Sequence, residues 1–248
     1  MTIIFDIEAS CDKDNKSYPM ETIEIGAVKI VEGEVMDKFQ TFIKPEYVSS
    51  LTEFCTSLTG ITYEMLENAP SFKEGISAFY EFALGHKIYS CGQFDRKFLT
   101  REIQDKIPET SFLIIKNFIE SSHINLKDLY SNVTGFKQAG MINMASRLNL
   151  EIKGSVHRAL DDAVNLSNIY LELDKIRKDK IDSAFGKRRT LEILSKLQND
   201  FPEQDFSEVK LSEIADEWEP ILILPLSDGT HYLKENERAV ISKMTKYC

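Results

Sequence analysis

The sequence predicts an α/β fold in which a mixed β-sheet is flanked by helices. Three strand-like segments come first along the chain, at residues 2–8, 21–31 and 35–43. Helical and strand-like segments then alternate up to about residue 175. This order is typical of helices packed on a sheet, and not of a β-sandwich or a helix bundle.

Turn and cap residues divide the N-terminal part of the chain into elements. Glu32-Gly33-Glu34 separates the second and third strands and is typical of a hairpin turn. Leu58-Thr59-Gly60 is predicted to end one short helix, and Pro70-Ser71 to begin the next. The elements predicted after that point are a helix over 72–84, a strand over 87–91 and a helix over 94–103.

The stretch from residue 104 to residue 135 leaves two alternatives open. Residues 112–115 and 123–126 fit either a short strand or a short helix. Beyond this stretch, the spacing of apolar residues predicts helices over 140–148 and 158–173.

The length of 248 residues exceeds the usual single domain of about 100–150 residues. We therefore predict a main domain over residues 1–178 and a small α+β extension over residues 179–248. A basic, glycine-containing segment around residues 175–189 is the predicted junction. The extension contains an amphipathic stretch at Leu191, Leu194 and Leu197, and a hairpin is predicted around Ser227-Asp228-Gly229.

Composition limits the possible functions of the protein and its possible cellular compartment. The net charge of −10 argues against a protein that coats nucleic acid through a broad basic surface. It leaves room for an enzyme whose acidic cleft holds metal ions that neutralise phosphates. The four cysteines are scattered, no apolar run approaches the roughly 18 residues of a membrane span, and no secretory pattern opens the chain. These features predict a cytoplasmic protein, or a nuclear one in a eukaryote, without a membrane partner.

Asp6 and Glu8 alternate with apolar residues in the first strand. Residues two apart in a strand point to the same face, so the two carboxylates can hold metal ions together. For an isolated pair of this kind, an exposed edge strand with polar residues facing water is the usual explanation. A strand rich in Ile and Phe favours burial on both faces, however, where an unpaired carboxylate is costly.

A second acidic motif begins a helix at residues 157–163. Ala159, Ala163 and Leu166 form an apolar stripe, and Asp162 lies at its edge while Asp161 should face solvent. Asp162 is therefore the acid predicted to reach a cleft. His157 precedes the helix in a loop. A loop histidine and an acid in the first helical turn also occur without any function, because the helix dipole favours the acid.

Asp95 is the third acidic candidate, at the point where a strand runs through Gly92 into a helix. The free N–H groups of a first helical turn stabilise an acid whether or not it takes part in chemistry. Asp95 is significant because it accompanies the other acids.

Together, Asp6, Glu8, Asp95, His157 and Asp162 resemble the DEDDh exonuclease family, also called DnaQ-like or ribonuclease-T-like. The sequence is most similar to the Eri-type and KapD-like exoribonucleases of that family. The segments that carry the resemblance span about residues 2–175 and are FDIEASC, PMETIEIGAVKI, FCTSLTGITYEMLENAPSF, YSCGQFDRKFL, INLKDLY and HRALDDA. The resemblance implies a ribonuclease-H-like, five-stranded mixed sheet.

The resemblance also implies a role for each matching residue. Asp6, Glu8 and Asp162 would ligate two divalent ions, Mg²⁺ or Mn²⁺, and Asp95 would hold one of them through water. His157 would be the general base that deprotonates the attacking water. The expected reaction is 3′–5′ hydrolysis of the terminal phosphodiester, with release of nucleoside 5′-monophosphates.

A pocket for the terminal nucleotide is implied by the same resemblance. The matching positions are Ala9, Ser10, Ile25, Leu58, Thr59, Gly60 and Phe94. Each of them could equally be a core or turn residue, with Gly60 as a helix cap and Ile25 as sheet packing.

Three functions remain open at this point. The first is an exoribonuclease that acts on single-stranded RNA with a free 3′ end. The second is a DNA 3′–5′ exonuclease with a proofreading or degrading role, since the contact that distinguishes the sugars is a local detail. The third is a non-catalytic binding module. The residues beyond 178 could pair subunits, extend the substrate groove through Lys187, Arg188 and Arg189, or cover the sheet, and the sequence does not predict an oligomeric state.

Overall fold

The structure is a computed structural model that describes residues 1–107, 110–207, 209–223 and 231–247. Contacts divide the chain into two compact units. The first comprises residues 1–127 and 139–171, and the second comprises residues 128–138 and the described part of 172–248.

Five strands form one sheet in the first unit, in the order β3-β2-β1-β4-β5. They are β1 (Thr2–Ala9), β2 (Thr22–Val31), β3 (Glu34–Phe42), β4 (Lys87–Ser90) and β5 (His123–Asn125). The three N-terminal strands are antiparallel to one another, and β4 and β5 run parallel to β1. The predicted five-stranded mixed sheet is confirmed.

Ten α-helices lie in the described part of the chain. They are α1 (Glu53–Thr59), α2 (Tyr63–Leu66), α3 (Phe72–Ala83), α4 (Phe94–Lys106), α5 (Leu113–Ser122), α6 (Leu126–Thr134), α7 (Met141–Arg147), α8 (Ala159–Asp200), α9 (Leu211–Ile223) and α10 (Glu235–Thr245). A short 3₁₀ turn, Thr110–Phe112, precedes α5. Gly186 interrupts α8 with a φ of 65° and a ψ of 158°.

The central strand β1 is covered on both faces. Ile3, Phe5 and Ile7 pack with α3, α4 and α5 in one apolar core. On the opposite face, Gly26 of β2 lies against the start of α8, where an added Cβ would lie 2.2 Å from the backbone nitrogen of Leu160. Only a glycine lets the helix and the strand approach so closely. The alternation of β1 therefore directs Asp6 and Glu8 toward the face that carries α8.

The two ambiguous segments adopt different structures. Residues 113–115 begin α5, and residues 123–125 form the edge strand β5, which pairs with β4. Both segments are short, so their periodicity could not separate strand from helix. The predicted caps are present, since Gly60 ends α1 in the left-handed conformation and the Ser71 side chain accepts the N–H of Glu74 at the start of α3.

The second unit has an apolar core of its own. Ile193, Leu197, Leu211 and Leu222 are among its buried members. Arg177 is also buried, and its guanidinium pairs with Asp174 and Asp216 at 2.6 Å each. A buried cation needs such partners, because removing a charge from water is costly.

The predicted C-terminal hairpin needs a correction. Residues 221–223 are the last residues of helix α9 and not a strand, while residues 224–230, which include Ser227-Asp228-Gly229, lie outside the described residues. The short apolar run at 221–223 continues the buried stripe of α9, and such runs do not distinguish strand from helix. The described residues beyond 178 form helices and connecting segments. The boundary at residue 178 stays a prediction.

None of the described helices combines the length and the apolar character that a membrane span requires. Cys11, Cys55 and Cys91 are free thiols, and Cys248 lies outside the described residues.

Candidate active site

Two carboxylates of the site come from β1. Asp6 is half-buried, and Glu8 is 8% exposed. In the register of β1 and β2, Asp6 lies opposite Gly26 and Glu8 lies opposite Glu24. Asp6 therefore lies opposite the glycine against which the start of α8 packs, which brings that helix close to its carboxylate.

The start of α8 contributes the third carboxylate and the histidine. His157 immediately precedes Arg158 and the helix, is exposed, and has a φ of 66°, a left-handed conformation that non-glycine residues adopt rarely. Its backbone N–H donates to Asp162 Oδ2 at 3.1 Å. Asp162 is 7% exposed, whereas Asp161 turns away and accepts the N–H of Ser155. The predicted distinction between the two adjacent acids agrees with this geometry.

These side chains meet in one cleft of about 410 Å³. Asp6, Glu8, His157 and Asp162 all line it. One potential ligand atom each from Glu8, His157 and Asp162 lies within 4.8 Å of the others. Residues distant in the sequence thus form a single group of oxygen and nitrogen donors.

Asp95 lies at the first turn of α4 and is buried, with 6% of its surface exposed. Its carboxylate hydrogen-bonds to the Ser90 hydroxyl, and Ser90 Oγ is 3.0 Å from His123 Nε2. Burial lowers the pKa of His123 to about 4, so this imidazole is neutral at physiological pH. Burial, and then the negative charge of Asp95, raises the pKa of Asp6. Asp95 itself is not among the residues that line the cleft in the described part of the chain.

Burial raises the pKa of Asp6, Glu8, Asp95 and Asp162, and repulsion from neighbouring carboxylates adds to the rise at Asp6 and Glu8. The pKa of Glu8 rises to about 8, chiefly through burial and then through the charges of Asp162 and Glu24. Burial raises the pKa of Asp95 to about 6, against a hydrogen bond from Ser90 that lowers it. Burial also raises the pKa of Asp6 and of Asp162. Such a group of acids favours either protons or bound cations.

The donor set fits divalent cations. Asp162 Oδ1 is buried and has no hydrogen-bond partner among the described residues. A buried carboxylate oxygen normally has a partner, and a cation would supply one. Carboxylate oxygens are the ligands that Mg²⁺ and Mn²⁺ prefer.

The seven residues predicted to bind a nucleotide fall into two groups, and none of them lines the cleft within the described ranges. Ser10, Ile25 and Thr59 are buried, and the hydroxyls of Ser10 and Thr59 are both hydrogen-bonded to the backbone. Their burial gives no support for contact with a nucleotide. The other four, Ala9, Leu58, Gly60 and Phe94, are at least partly exposed. Phe94 stacks on Phe98 with ring centroids 5.3 Å apart.

Several residues that the sequence did not single out line the cleft. One wall is formed by the start of α7, from Gly140 to Asn143, and another by Val156 and Cys91. Burial raises the pKa of the Cys91 thiol to about 11, so Cys91 is not a thiolate nucleophile at neutral pH. Ile142 is exposed, and an exposed apolar residue often marks a binding surface, but this exposure is visible only in the structure.

Comparison with known proteins agrees with this fold, which is ribonuclease-H-like and carries a carboxylate-lined cleft. The family model RNase_T, described as an exonuclease, matches residues 3–170. The chain belongs to this exonuclease family.

Relatives and solved structures show the same similarity. The chain is 30% identical over 185 residues to 3′-5′ exoribonuclease 1 of Rattus norvegicus, and the match covers 68% of this chain and 52% of that protein. It is 25% identical over 200 residues to 3′-5′ exonuclease eri1 of Schizosaccharomyces pombe, with 67% and 65% covered. The chain thus matches about half to two thirds of the length of these relatives. The nuclease domain of 3′hExo, a DEDDh family member bound to rAMP, superposes with a TM-score of 0.56 at 24% identity, covering 70% of this chain and 91% of that one.

Proposed function

We propose that this protein is a divalent-metal-dependent 3′–5′ exonuclease that acts on single-stranded RNA with a free 3′ end. The observation that carries the proposal is the convergence of Glu8, His157 and Asp162 within 4.8 Å, in a cleft that Asp6 also lines. We assign the activity to residues 1–178 and no role to residues 179–248.

In this proposal Asp6, Glu8 and Asp162 ligate two cations, Mg²⁺ or Mn²⁺, and Asp95 holds one of them through water. The raised pKa values of Glu8 and Asp6 support it, because bound cations would offset both the burial of these carboxylates and their repulsion by neighbouring ones. The partnerless Asp162 Oδ1 supports it as well.

His157 is the proposed general base. It is exposed at the rim of the cleft, and its backbone is held by Asp162, so its imidazole can reach a water that approaches from solvent. The water loses a proton to His157 and attacks the terminal phosphorus. The bond from phosphorus to the 3′ oxygen of the preceding nucleotide breaks, that oxygen takes a proton, and a nucleoside 5′-monophosphate leaves. Divalent cations, when bound, neutralise the charge that develops on the phosphate.

The preference for RNA rests on the similarity to the rat exoribonuclease. A DNA 3′–5′ exonuclease would use the same carboxylates, so the sugar preference depends on contacts near the terminal nucleotide. Exposed positions such as Leu58, Gly60 and Phe94 are the proposed surface for that nucleotide, with Phe94 stacking on its base.

The test is a time course on matched single-stranded RNA and DNA oligonucleotides, labelled at either the 5′ or the 3′ end, with Mg²⁺ or EDTA. We expect a ladder that shortens one nucleotide at a time from the 3′ end, faster on RNA, and abolished by EDTA. Shortening from the 5′ end, or full activity in EDTA, would refute the proposal. Faster cleavage of DNA would refute the RNA preference alone.

Adjacent acids provide a matched pair of variants. Asp162→Asn should remove nearly all turnover, because it changes a proposed metal ligand. Asp161→Asn keeps an oxygen that can accept the N–H of Ser155 and should retain turnover. Equal loss in both variants would contradict the assignment of Asp162.

A further inference from the structure

Glu24 is a fully buried carboxylate beside the cleft, with 0% of its surface exposed. It lies in β2 directly opposite Glu8. A buried carboxylate is costly unless donors compensate it. Four donors do so: Arg158 Nε and Nη2 at 3.1 Å each, the backbone N–H of Ala159 at 3.0 Å, and Gln40 Nε2 at 2.5 Å.

This arrangement separates the roles of the two neighbouring glutamates. Both oxygens of Glu24 accept hydrogen bonds from the protein, and the Arg158 guanidinium offsets its charge. Glu8 faces the cleft with a pKa raised to about 8. Glu24 is therefore occupied by protein donors, while Glu8 is free to accept a proton or a cation.

The donors to Glu24 belong mainly to the first turn of α8. The Ala159 N–H is one of the groups that a helix start leaves without a partner in the helix, and a carboxylate there is also favoured by the helix dipole. Gly26, two residues further along β2, lets the same turn approach to backbone contact. Glu24 and Gly26 together fix where α8 begins on the sheet.

The same turn carries the functional side chains. His157 immediately precedes Arg158, and the backbone N–H of Asp162 donates to the Arg158 carbonyl oxygen at 2.8 Å. A shift of Arg158 would therefore move both His157 and Asp162 relative to Glu8. Neither Glu24 nor Arg158 is among the residues that line the cleft in the described part of the chain.

We propose that Glu24 and Arg158 form a positioning pair, which holds the first turn of α8 where Asp162 and His157 meet Glu8. The pair acts through α8 and does not itself contact substrate or cations. The proposal concerns the geometry of the cleft; its Mn²⁺ readout rests on the proposed metal site, and its kinetic readout rests on the proposed activity.

The first readout is Mn²⁺ affinity, measured by isothermal titration calorimetry on the full chain. Loss of a residue that supports metal ligands typically weakens metal affinity by about 10–100-fold. We expect Mn²⁺ affinity to weaken by that order in Arg158→Met and in Glu24→Gln. Each substitution disrupts the paired hydrogen bonds from Arg158 to the two oxygens of Glu24. Arg158→Lys keeps the charge and should recover part of the affinity. The double variant should be no worse than either single variant, because both disrupt one unit.

Glu102 offers a matched control for the loss of a buried carboxylate. It also accepts bonds from β2, at the Thr22 N–H and hydroxyl, and it lies 2.8 Å from Lys106 Nζ. Glu102→Gln should lower the melting temperature without a change in Mn²⁺ affinity. If Glu24→Gln and Arg158→Met behave in the same way, the pair is only structural and the proposal is overturned.

The second readout is kinetic. Misplaced ligands and base should lower kcat more than they raise KM, since the interactions lost are those made in the transition state. If the wild-type protein binds Mn²⁺ but hydrolyses no nucleic acid, the proposed function fails, and the Mn²⁺ affinities alone decide the positioning role. If Arg158→Met does not fold, Glu24→Gln and Arg158→Lys decide it.

Discussion

The backbone N–H of His157 donates to Asp162 Oδ2 at 3.1 Å, while Asp162 Oδ1 remains buried without a partner among the described residues. One carboxylate thus accepts the histidine N–H with one oxygen, and its other oxygen has no protein partner among the described residues. The left-handed φ of 66° at His157 is part of this arrangement, because it turns the chain into the helix that carries Asp162.

Replacing the proposed base should slow the reaction without preventing binding. General-base catalysis contributes about 10²–10⁴-fold, so His157→Ala should lower kcat by that order and change KM little. Steady-state kinetics on a short RNA would measure both constants. A kcat close to that of the wild-type protein would exclude His157 as the base.

Gly26→Ala should disrupt the fit between β2 and α8. The added methyl group would lie 2.2 Å from the Leu160 nitrogen and 2.3 Å from the Ala159 carbonyl carbon, both of them backbone atoms that cannot rotate away. Overpacking typically costs about 1–3 kcal/mol, and a backbone clash of this kind should cost at least that much. Urea unfolding would measure it. Gly140→Ala is the control, since the described residues leave its Cβ position open, and an equal loss there would contradict the explanation.

Stability of the metal-free protein should fall as pH rises. The pKa of Glu8 is raised to about 8 and that of Asp95 to about 6, whereas an ordinary carboxyl group has a pKa near 4. Between about pH 4 and about pH 8 the folded state therefore holds more protons than the unfolded state. Thermal unfolding in EDTA should therefore show a higher melting temperature at pH 5.5 than at pH 8.

Two controls test that pH dependence. Glu8→Gln removes one titrating group and should flatten it, and saturating Mn²⁺ should raise the melting temperature most at pH 8, where cations replace the protons. A metal-free melting temperature that rises from pH 5.5 to pH 8 would contradict the raised pKa values.

Zinc should inhibit where magnesium activates. Zn²⁺ accepts nitrogen and oxygen ligands in a compact site, and Glu8, His157 and Asp162 offer one donor atom each within 4.8 Å. Mg²⁺ prefers oxygen ligands and leaves the imidazole free. Micromolar Zn²⁺ added to the Mg²⁺-dependent reaction should therefore reduce the rate, and His157→Ala should weaken Zn²⁺ binding. An unchanged rate would show that the imidazole does not reach the metal.

The sequence predicted the sheet and the direction in which several acidic side chains point, because both depend on local patterns. The alternation in β1 orients Asp6 and Glu8, and the apolar stripe of α8 separates Asp162 from Asp161. Short elements such as β5 were ambiguous, since three residues carry too little periodicity to distinguish strand from helix.

Contacts between distant residues could not be predicted in the same way. Glu24 looks like one more acid in a strand, and it pairs with a residue that lies 134 positions further along the chain, Arg158. The cleft wall at Gly140 has no acidic or basic signature. The burial of Ser10, Ile25 and Thr59 likewise depends on how the elements pack, and this packing is not visible in their local sequence.

The most direct test of the account is a crystal of the wild-type protein with Mn²⁺ and a nucleoside 5′-monophosphate, examined by anomalous scattering at the manganese edge. We predict two peaks about 4 Å apart, ligated by Asp6, Glu8 and Asp162. Manganese bound elsewhere, or no peak within reach of these three carboxylates, would contradict it.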